Sequence, residues 1–516
     1  MSRVRKSIKN AKIGIFFFGL SILAQFFSRK IFLEFLGDEF MGLTGTLRSM
    51  LSFLNLAELG IGTAIGYTLY KPIFDNDKIE INKVIGLLGF LYQRIGLIVL
   101  GTGVVASLFF PWIFNDTSLS IGLVYFTFFS FLATTLFSYF VNYHMVLLEA
   151  DQKGYVVQGY FQTSNIIRLI VQSLVSYYFQ SLYVWVALEL FFSILYCIIL
   201  RIKVKEHYPW LTIRANETKN IIKEYPEVIK NIKQLFVHKI GSFVKDGTDN
   251  ILVFALVSLE SVAFFGNYQL IFTKLTGLVK MVFSGTRAGI GNLVAENNMK
   301  NIFKVFWEIQ ALQFFIGGVL GLVLYHCIEP FITIWVGEEY ILDKSVLLLL
   351  VIIFFIGQVR GAVEFFKNAY GLFSDTWAPA AEAIVNLLIS FIFGRMLGIS
   401  GIMLGTLVSL VLFVVIWKPY FLYKHGFKTS LWPYWKGFLG HLFLFLSVFI
   451  GLNHFIQSFI NTEVNNYGAW ILLVVEITAI SAISYGLLLY IFATGFKNLT
   501  YRVIKLVSKK ISKNGH

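Results

Sequence analysis

The sequence predicts an all-α, polytopic membrane protein with about fourteen transmembrane helices, and three observations carry that expectation. Of its 516 residues, 57% are hydrophobic and 14% charged, against roughly 25% charged in a soluble domain. Mean hydropathy is +0.72. Apolar stretches of about 20 residues, the length that crosses a bilayer, recur from one end to the other. They do not alternate apolar with polar residues, as barrel strands would, and the 42 glycines are spread through them, as transmembrane helices tolerate.

Taken in order, the spans are 13–36, 42–70, 83–110, 118–148, 155–179 and 182–203, then 236–258, 260–288, 302–326, 344–367, 377–396, 400–422, 436–459 and 467–494. The first is read as a span and not a signal peptide. Its apolar run is longer than a signal core, contains Arg29 and Glu34, and lacks a small-residue cleavage site. An even number of crossings puts both termini on one side. That side carries the cations Arg3, Arg5, Lys6, Lys9 and Lys12 at the N-terminus, Lys71, Lys78 and Lys83 in the next loop, and Arg502, Lys505, Lys509, Lys510 and Lys513 at the C-terminus. Lys344 and Arg395 fall opposite. Positive charge stays in the cytoplasm, so both termini are expected there. The same loops hold most of the net +14, which points to the inner membrane surface and away from nucleic acid.

A charged segment, 205–235, places Ile221, Ile222, Val228, Ile229, Ile232 and Leu235 at helical spacing among Lys and Glu. It is expected to be an amphipathic helix on the cytoplasmic face. The chain then divides into an N-lobe (1–204, six spans), this connector (205–235), a C-lobe (236–423, six spans) and two further spans with a basic tail (424–516). A weak internal repeat supports the division. Gly42 is followed 22 residues later by Ala64, then Asn76 and a span closing on Pro111-Trp112-Ile113; Gly266 is followed 22 residues later by Ala288, then Asn297-Asn298 and a span closing on Pro330-Phe331-Ile332. Two six-span halves entering from the same side make a parallel pair, expected to enclose a central cavity.

The chain is organised around 29–72, where charges enter an apolar segment, the backbone turns through Gly37-Asp38-Glu39, and a glycine-punctuated helix leaves through Tyr70-Lys71-Pro72. The LGDEF-MGL turn, the LAELGIGTAIGYTLYKP run and the later WVGEEY, FKNAYGLFSD and GIMLGTLVS resemble the polysaccharide repeat-unit flippases (Wzx-type) of the multidrug/oligosaccharidyl-lipid/polysaccharide exporter superfamily. The similarity covers most of Met1 to Tyr423. The resemblance implies alternating access in the cytoplasmic membrane and translocation of undecaprenyl-diphosphate-linked oligosaccharides for capsule, exopolysaccharide or O-antigen assembly. It also implies a polymerase and other assembly proteins as partners, and coupling to Na⁺ or H⁺.

Charges inside the spans are costly, roughly 2.5–3.5 kcal/mol each on insertion scales, and functional by default. Lys30 has Glu34, and Arg360 has Glu364, four residues on, so local ion pairs are expected. Arg29, Arg48, Arg94, Arg168 and Lys274 have no acid at i±3 or i±4. Their counter-charge must come from elsewhere: from an anionic guest, from an acid on another helix, or, for Arg29 and Arg48, from the interface. A cavity lined by Arg29, Arg48, Arg94, Arg168, Lys274 and Arg360 would attract an anion, and guanidinium forks suit a diphosphate. Asp246 and Asp249 on span 7, Glu382 and Asn386 on span 11 and Thr406 on span 12 supply oxygens for a Na⁺ site or proton relay. Lys245 or Lys274 neutralising the aspartates is the simpler account. Tyr67, Tyr70, Tyr92, Tyr139, Tyr143 and Tyr268 include candidates for stacking on sugar rings, although most of the aromatic residues are expected to pack against lipid or helices.

No phosphate loop, nucleophile elbow or HExxH occurs, and the eight histidines lack ligand spacing, so no enzyme and no cofactor is expected. The two cysteines, Cys197 and Cys327, form no disulfide framework or metal motif. Two alternatives remain. A drug/cation antiporter of the same superfamily would favour an acidic or apolar cavity. A polysaccharide polymerase would carry a large external loop, whereas the longest here, about Cys327 to Asp343, is short and acidic.

Overall fold

The structure is a computed structural model that describes residues 3–55, 61–211, 224–229, 232, 247–283, 286–460, 462 and 464–514. Among them the chain is 87% helical with no strand, an all-α polytopic membrane protein. It forms two compact units, Met1–Gly266 and Asn267–His516.

In the first unit, α1 (Arg3–Leu36) is one 34-residue helix, about 50 Å long at 1.5 Å per residue. It stops at Gly37, whose φ of 84° is a conformation that glycine adopts without steric cost. There α2 (Asp38–Leu54) begins, with Asp38 and Glu39 in its first turn, where negative charge complements the helix dipole. The unit continues through α3 (Ile61–Asp75), α4 (Lys78–Ser107), α5 (Phe110–Ile113), α6 (Ile121–Phe140), α7 (Met145–Ala150), α8 (Gly154–Phe179), α9 (Leu182–His207) and α10 (Asp249–Leu256) to the start of α11 (Leu259–Val282). α1 packs along α8, α8 against α9, and α6 against both α4 and α9. Trp185 of α9 is the centre of this packing, with Phe32 and Phe40 edge-on at 5.5 Å each. Gly42 lets α2 approach the start of α11 so closely that a Cβ there would lie 1.8 Å from the Leu259 carbonyl oxygen.

The second unit is built on α13 (Met299–Trp335), which follows α12 (Thr286–Ala295). α14 (Lys344–Val359), α15 (Gly361–Ala369), α19 (Trp432–Phe459), α20 (Tyr467–Phe492) and α21 (Thr494–Asn514) all pack on it. Phe314, Phe355, Phe438, Phe445 and Tyr485 form the buried centre of that packing. α16 (Trp377–Leu397) and α17 (Ile399–Ser409) make a tight hairpin through Gly398, φ 58°. α17 runs on through π-helical 410–417, α18 (Lys418–Phe421) and π-helical 422–427. At Gly405 a Cβ would fall 2.5 Å from the backbone nitrogen of Ser390, so the hairpin needs glycine on that face. The buried carboxylate of Glu308, in α13, meets Arg502 of the basic terminal helix at 2.7 Å.

Ten described helices are long and apolar enough to cross a membrane, and they coincide with ten of the fourteen expected spans. The other four differ for visible reasons. Of span 42–70 the structure describes α2 and α3, each shorter than a bilayer crossing, and residues 56–60 lie outside the described residues. α8 carries Gln158, Gln162, Asn165, Arg168 and Gln172, and α11 carries Glu260, Lys274 and Lys280. Span 236–258 lies outside the described residues up to 246, as does most of the 205–235 connector. Arg168 and Lys274 thus sit on the two described helices, α8 and α11, that are long enough to cross but carry more polar residues.

The LGDEF turn proves to be a clasp. Glu39 accepts the Thr117 hydroxyl at 2.6 Å, the Ser118 N–H at 2.7 Å and the Ser118 hydroxyl, tying the start of α2 to the loop after α5. The second unit has a related contact, in which the Leu342 N–H donates to Tyr268 Oη at 3.1 Å. Burial pushes the Glu39 carboxyl up, but the hydrogen bonds from Ser118 and Thr117 outweigh it and hold it below the ordinary carboxylate value. A depressed folded-state value stabilises the fold above the unfolded value, and the gain is lost as pH falls through the folded one. The wild-type advantage over Glu39→Ala in thermal unfolding should therefore be full at pH 7 and shrink below about pH 4. An advantage unchanged down to pH 3 would mean that Glu39 acts by packing alone.

Candidate functional site

Three helices of the first unit bring two expected cations together on one acid. Glu189, on α9, is 6% exposed, and its Oε1 accepts Arg48 Nη2 of α2 at 2.9 Å and Arg168 Nη1 of α8. Its Oε2 accepts the Gln172 amide at 3.3 Å, and that amide also donates to the Trp185 carbonyl at 3.0 Å. Arg168 donates its Nη2 to Asn165 Oδ1 at 2.5 Å. Arg48 lies 4.5 Å from the centroid of the Phe131 ring, a cation–π distance. Two guanidiniums on one carboxylate leave a surplus positive charge, and it is unevenly placed. The Arg48 side chain is 49% exposed, that of Arg168 17%.

The counter-charge that the sequence placed elsewhere is thus, for these two arginines, an acid on another helix. Sequence reasoning missed Glu189. A signal was present, since it is a lone carboxylate in an apolar run, the same mark that singled out Arg29.

Arg29, half-buried on α1, donates Nη2 to the Ala263 carbonyl at 2.8 Å. The guanidinium crosses over Gly266, where a Cβ would be 3.1 Å from Nη2. Arg94 stands on the exposed face of α4 with Leu97 and Ile98, 5.4 Å from the Phe90 ring centroid, and forms no ion pair among the described residues. Lys274 is half-buried on α11 in the second unit. Arg360 sits at the junction of α14 and α15. Its expected partner, Glu364, makes its direct ion pair with Lys418 of α18, while Arg360 stays within electrostatic reach of the same carboxylate. Lys30 and Glu34, both exposed, form no ion pair among the described residues.

Of the expected ion ligands, Asp246 lies outside the described residues. Asp249 opens α10, whose next residue, Asn250, donates to Ser49 Oγ at 3.1 Å, so the start of that helix adjoins the turn bearing Arg48. Glu382, Asn386 and Thr406 are buried in the α16–α17 hairpin of the second unit. Asn386 Nδ2 donates to Thr406 Oγ1 at 2.9 Å, while Asn386 Oδ1 is buried without a hydrogen-bond partner. No group of three or more His, Cys, Asp or Glu able to hold a metal occurs among the described residues. Of the six tyrosines, Tyr67 and Tyr70 are exposed, while Tyr92, Tyr139, Tyr143 and Tyr268 are buried.

No protein-family model matches the chain, and no curated protein matches it. Solved structures do. Lipid II flippase MurJ in an inward closed conformation superposes with a TM-score of 0.60 at 15% identity, over 94% of this chain and 99% of that one. A multidrug resistance MATE family transporter of the MOP superfamily, in an inward-facing conformation, gives 0.59 at 14% identity, over 80% and 96%. At these identities the likeness establishes a shared fold.

Proposed function

We propose that this protein is a flippase for undecaprenyl-diphosphate-linked oligosaccharide repeat units, serving capsule, exopolysaccharide or O-antigen synthesis in the cytoplasmic membrane. The observation that carries the reading is the surplus guanidinium of the Arg48–Glu189–Arg168 cluster, two cations sharing one buried carboxylate. A half-exposed guanidinium in a membrane protein is matched chemically by a phosphate group, to two of whose oxygens it can donate parallel bonds. The fold of a lipid II flippase supports a lipid-linked cargo, and the motif resemblance supports the polysaccharide branch of the superfamily. Arg29, Arg94, Lys274 and Arg360 complete the cationic set. Both termini are cytoplasmic in this reading, and alternating access is coupled to Na⁺ or H⁺ through Asp249, Glu382, Asn386 and Thr406, with Asp246 of the same span. A polymerase and other assembly proteins would receive the product.

A drug/cation antiporter is the second reading, favoured by the likeness in fold to a multidrug transporter and by a carboxylate, Glu189, buried within a span. The two separate in proteoliposomes, with orientation read from protease access to a C-terminal tag. A flippase moves a labelled polyprenyl-diphosphate oligosaccharide to the opposite leaflet, faster under an imposed Na⁺ or H⁺ gradient. An antiporter exchanges organic cations for the same gradient and leaves the lipid in place. Cation exchange without lipid movement would overturn the flippase reading.

A further inference from the structure

Glu189 presents one oxygen to two guanidiniums, and the two are held differently. Arg168 is mostly buried and anchored a second time by Asn165. Arg48 is half-exposed, and its other recorded contact is the face of Phe131. If Arg48 leaves, Glu189 and Arg168 remain a neutral, hydrogen-bonded pair, and no bare charge stays buried. If Arg168 leaves, its own buried guanidinium loses its carboxylate. The cluster therefore has one cation to lend and one to keep. The second carboxylate oxygen, occupied by Gln172, keeps Glu189 from swinging after the departing arginine.

We propose that Glu189 is an internal counter-ion that the anionic cargo displaces from Arg48 and that recaptures Arg48 when the cargo leaves. This rests on the flippase reading above and adds a residue to it: Glu189 positions Arg48 and weakens its hold on phosphate, so that release keeps pace with loading. Without an internal competitor, a guanidinium donating to a diphosphate would hold its cargo. The competing carboxylate subtracts from ground-state binding and is regained on release.

The test is binding of farnesyl diphosphate, with inorganic pyrophosphate as a second arm, to the full-length protein in detergent, alongside translocation in proteoliposomes. Glu189→Gln keeps the shape and the acceptor oxygen but removes the competing charge. It should bind farnesyl diphosphate roughly two- to fivefold more tightly, the scale of a half-exposed ion pair, while turnover falls. Glu189→Asp, which retains the charge, should lie between wild type and Glu189→Gln and serves as the readout if Glu189→Gln folds poorly. In an Arg48→Gln background the Glu189→Gln gain should vanish, because the two side chains act on one interaction. A purely structural Glu189 would tighten nothing. Weaker or unchanged binding in both Glu189 variants, with Arg48→Gln still impaired, would overturn the counter-ion role alone. Unchanged binding in Arg48→Gln would overturn the phosphate-site reading beneath it. Equal tightening toward pyrophosphate assigns recognition to the diphosphate, and tightening confined to farnesyl diphosphate assigns it to the lipid-linked form.

Discussion

Arg168→Gln is expected to lower the folded yield and the thermal unfolding temperature far more than Arg48→Gln, although both arginines touch the same carboxylate. Arg168 is the buried partner of a buried acid, and removing one side of such a pair costs about 3–5 kcal/mol. The remaining contact between Arg48 and Glu189 puts the loss toward the lower end. Arg48 is half-exposed, and pairs of that kind contribute about 1 kcal/mol or less. The double variant Arg168→Gln/Glu189→Gln should recover much of the Arg168→Gln loss, since it removes the buried carboxylate left with too little counter-charge. Size-exclusion profiles and thermal unfolding of the solubilised proteins measure this directly. Equal stability of the two single variants would mean that burial does not divide their roles.

The fold was legible wherever burial in lipid makes hydrophobicity continuous. Ten expected spans match apolar stretches of helix because average hydropathy survives an isolated charge or a local break: α4 and α9 remain continuous around Arg94 and Glu189, and 344–367 stays apolar across the junction of α14 and α15 at Arg360. Single charges inside apolar runs were visible as exceptions, and those exceptions led to Arg48 and Arg168. What stayed hidden was pairing. A search for acids at i±3 and i±4 examines one helix, whereas Glu189 meets Arg48 and Arg168 across three, and Glu364 takes its direct contact from Lys418 of another segment. Long side chains inside a bundle find partners by tertiary approach, and spacing along one helix constrains that weakly. The turn motif was legible as a turn, but its purpose was not: Glu39 is fixed by Thr117 and Ser118, 78 and 79 residues away.

The largest functional effect is expected from removing two exposed arginines of the cationic set together. Arg48 has a shared carboxylate, and Arg94 is exposed on α4 and forms no ion pair among the described residues. Arg94 lies near the middle of a 30-residue helix, where a guanidinium directed into hydrocarbon costs roughly 2.5–3.5 kcal/mol. That cost is relieved if the group meets water or a phosphate. Each charged hydrogen-bonding set lost should cost on the order of 1.5–3 kcal/mol, or about ten- to a hundredfold in affinity. The two side chains sit on different helices and share no recorded partner, so the losses should add. Arg48→Gln/Arg94→Gln should then lower affinity for the lipid-linked cargo by roughly 10²- to 10⁴-fold. The matching double lysine variant should recover part of this, because a point charge cannot form the bidentate fork. In cells the double glutamine variant should accumulate lipid-linked repeat units on the cytoplasmic leaflet at near-normal protein yield, which separates lost transport from lost folding. Normal surface polysaccharide from well-folded Arg48→Gln/Arg94→Gln protein would remove the cationic mechanism and return the antiporter reading to first place.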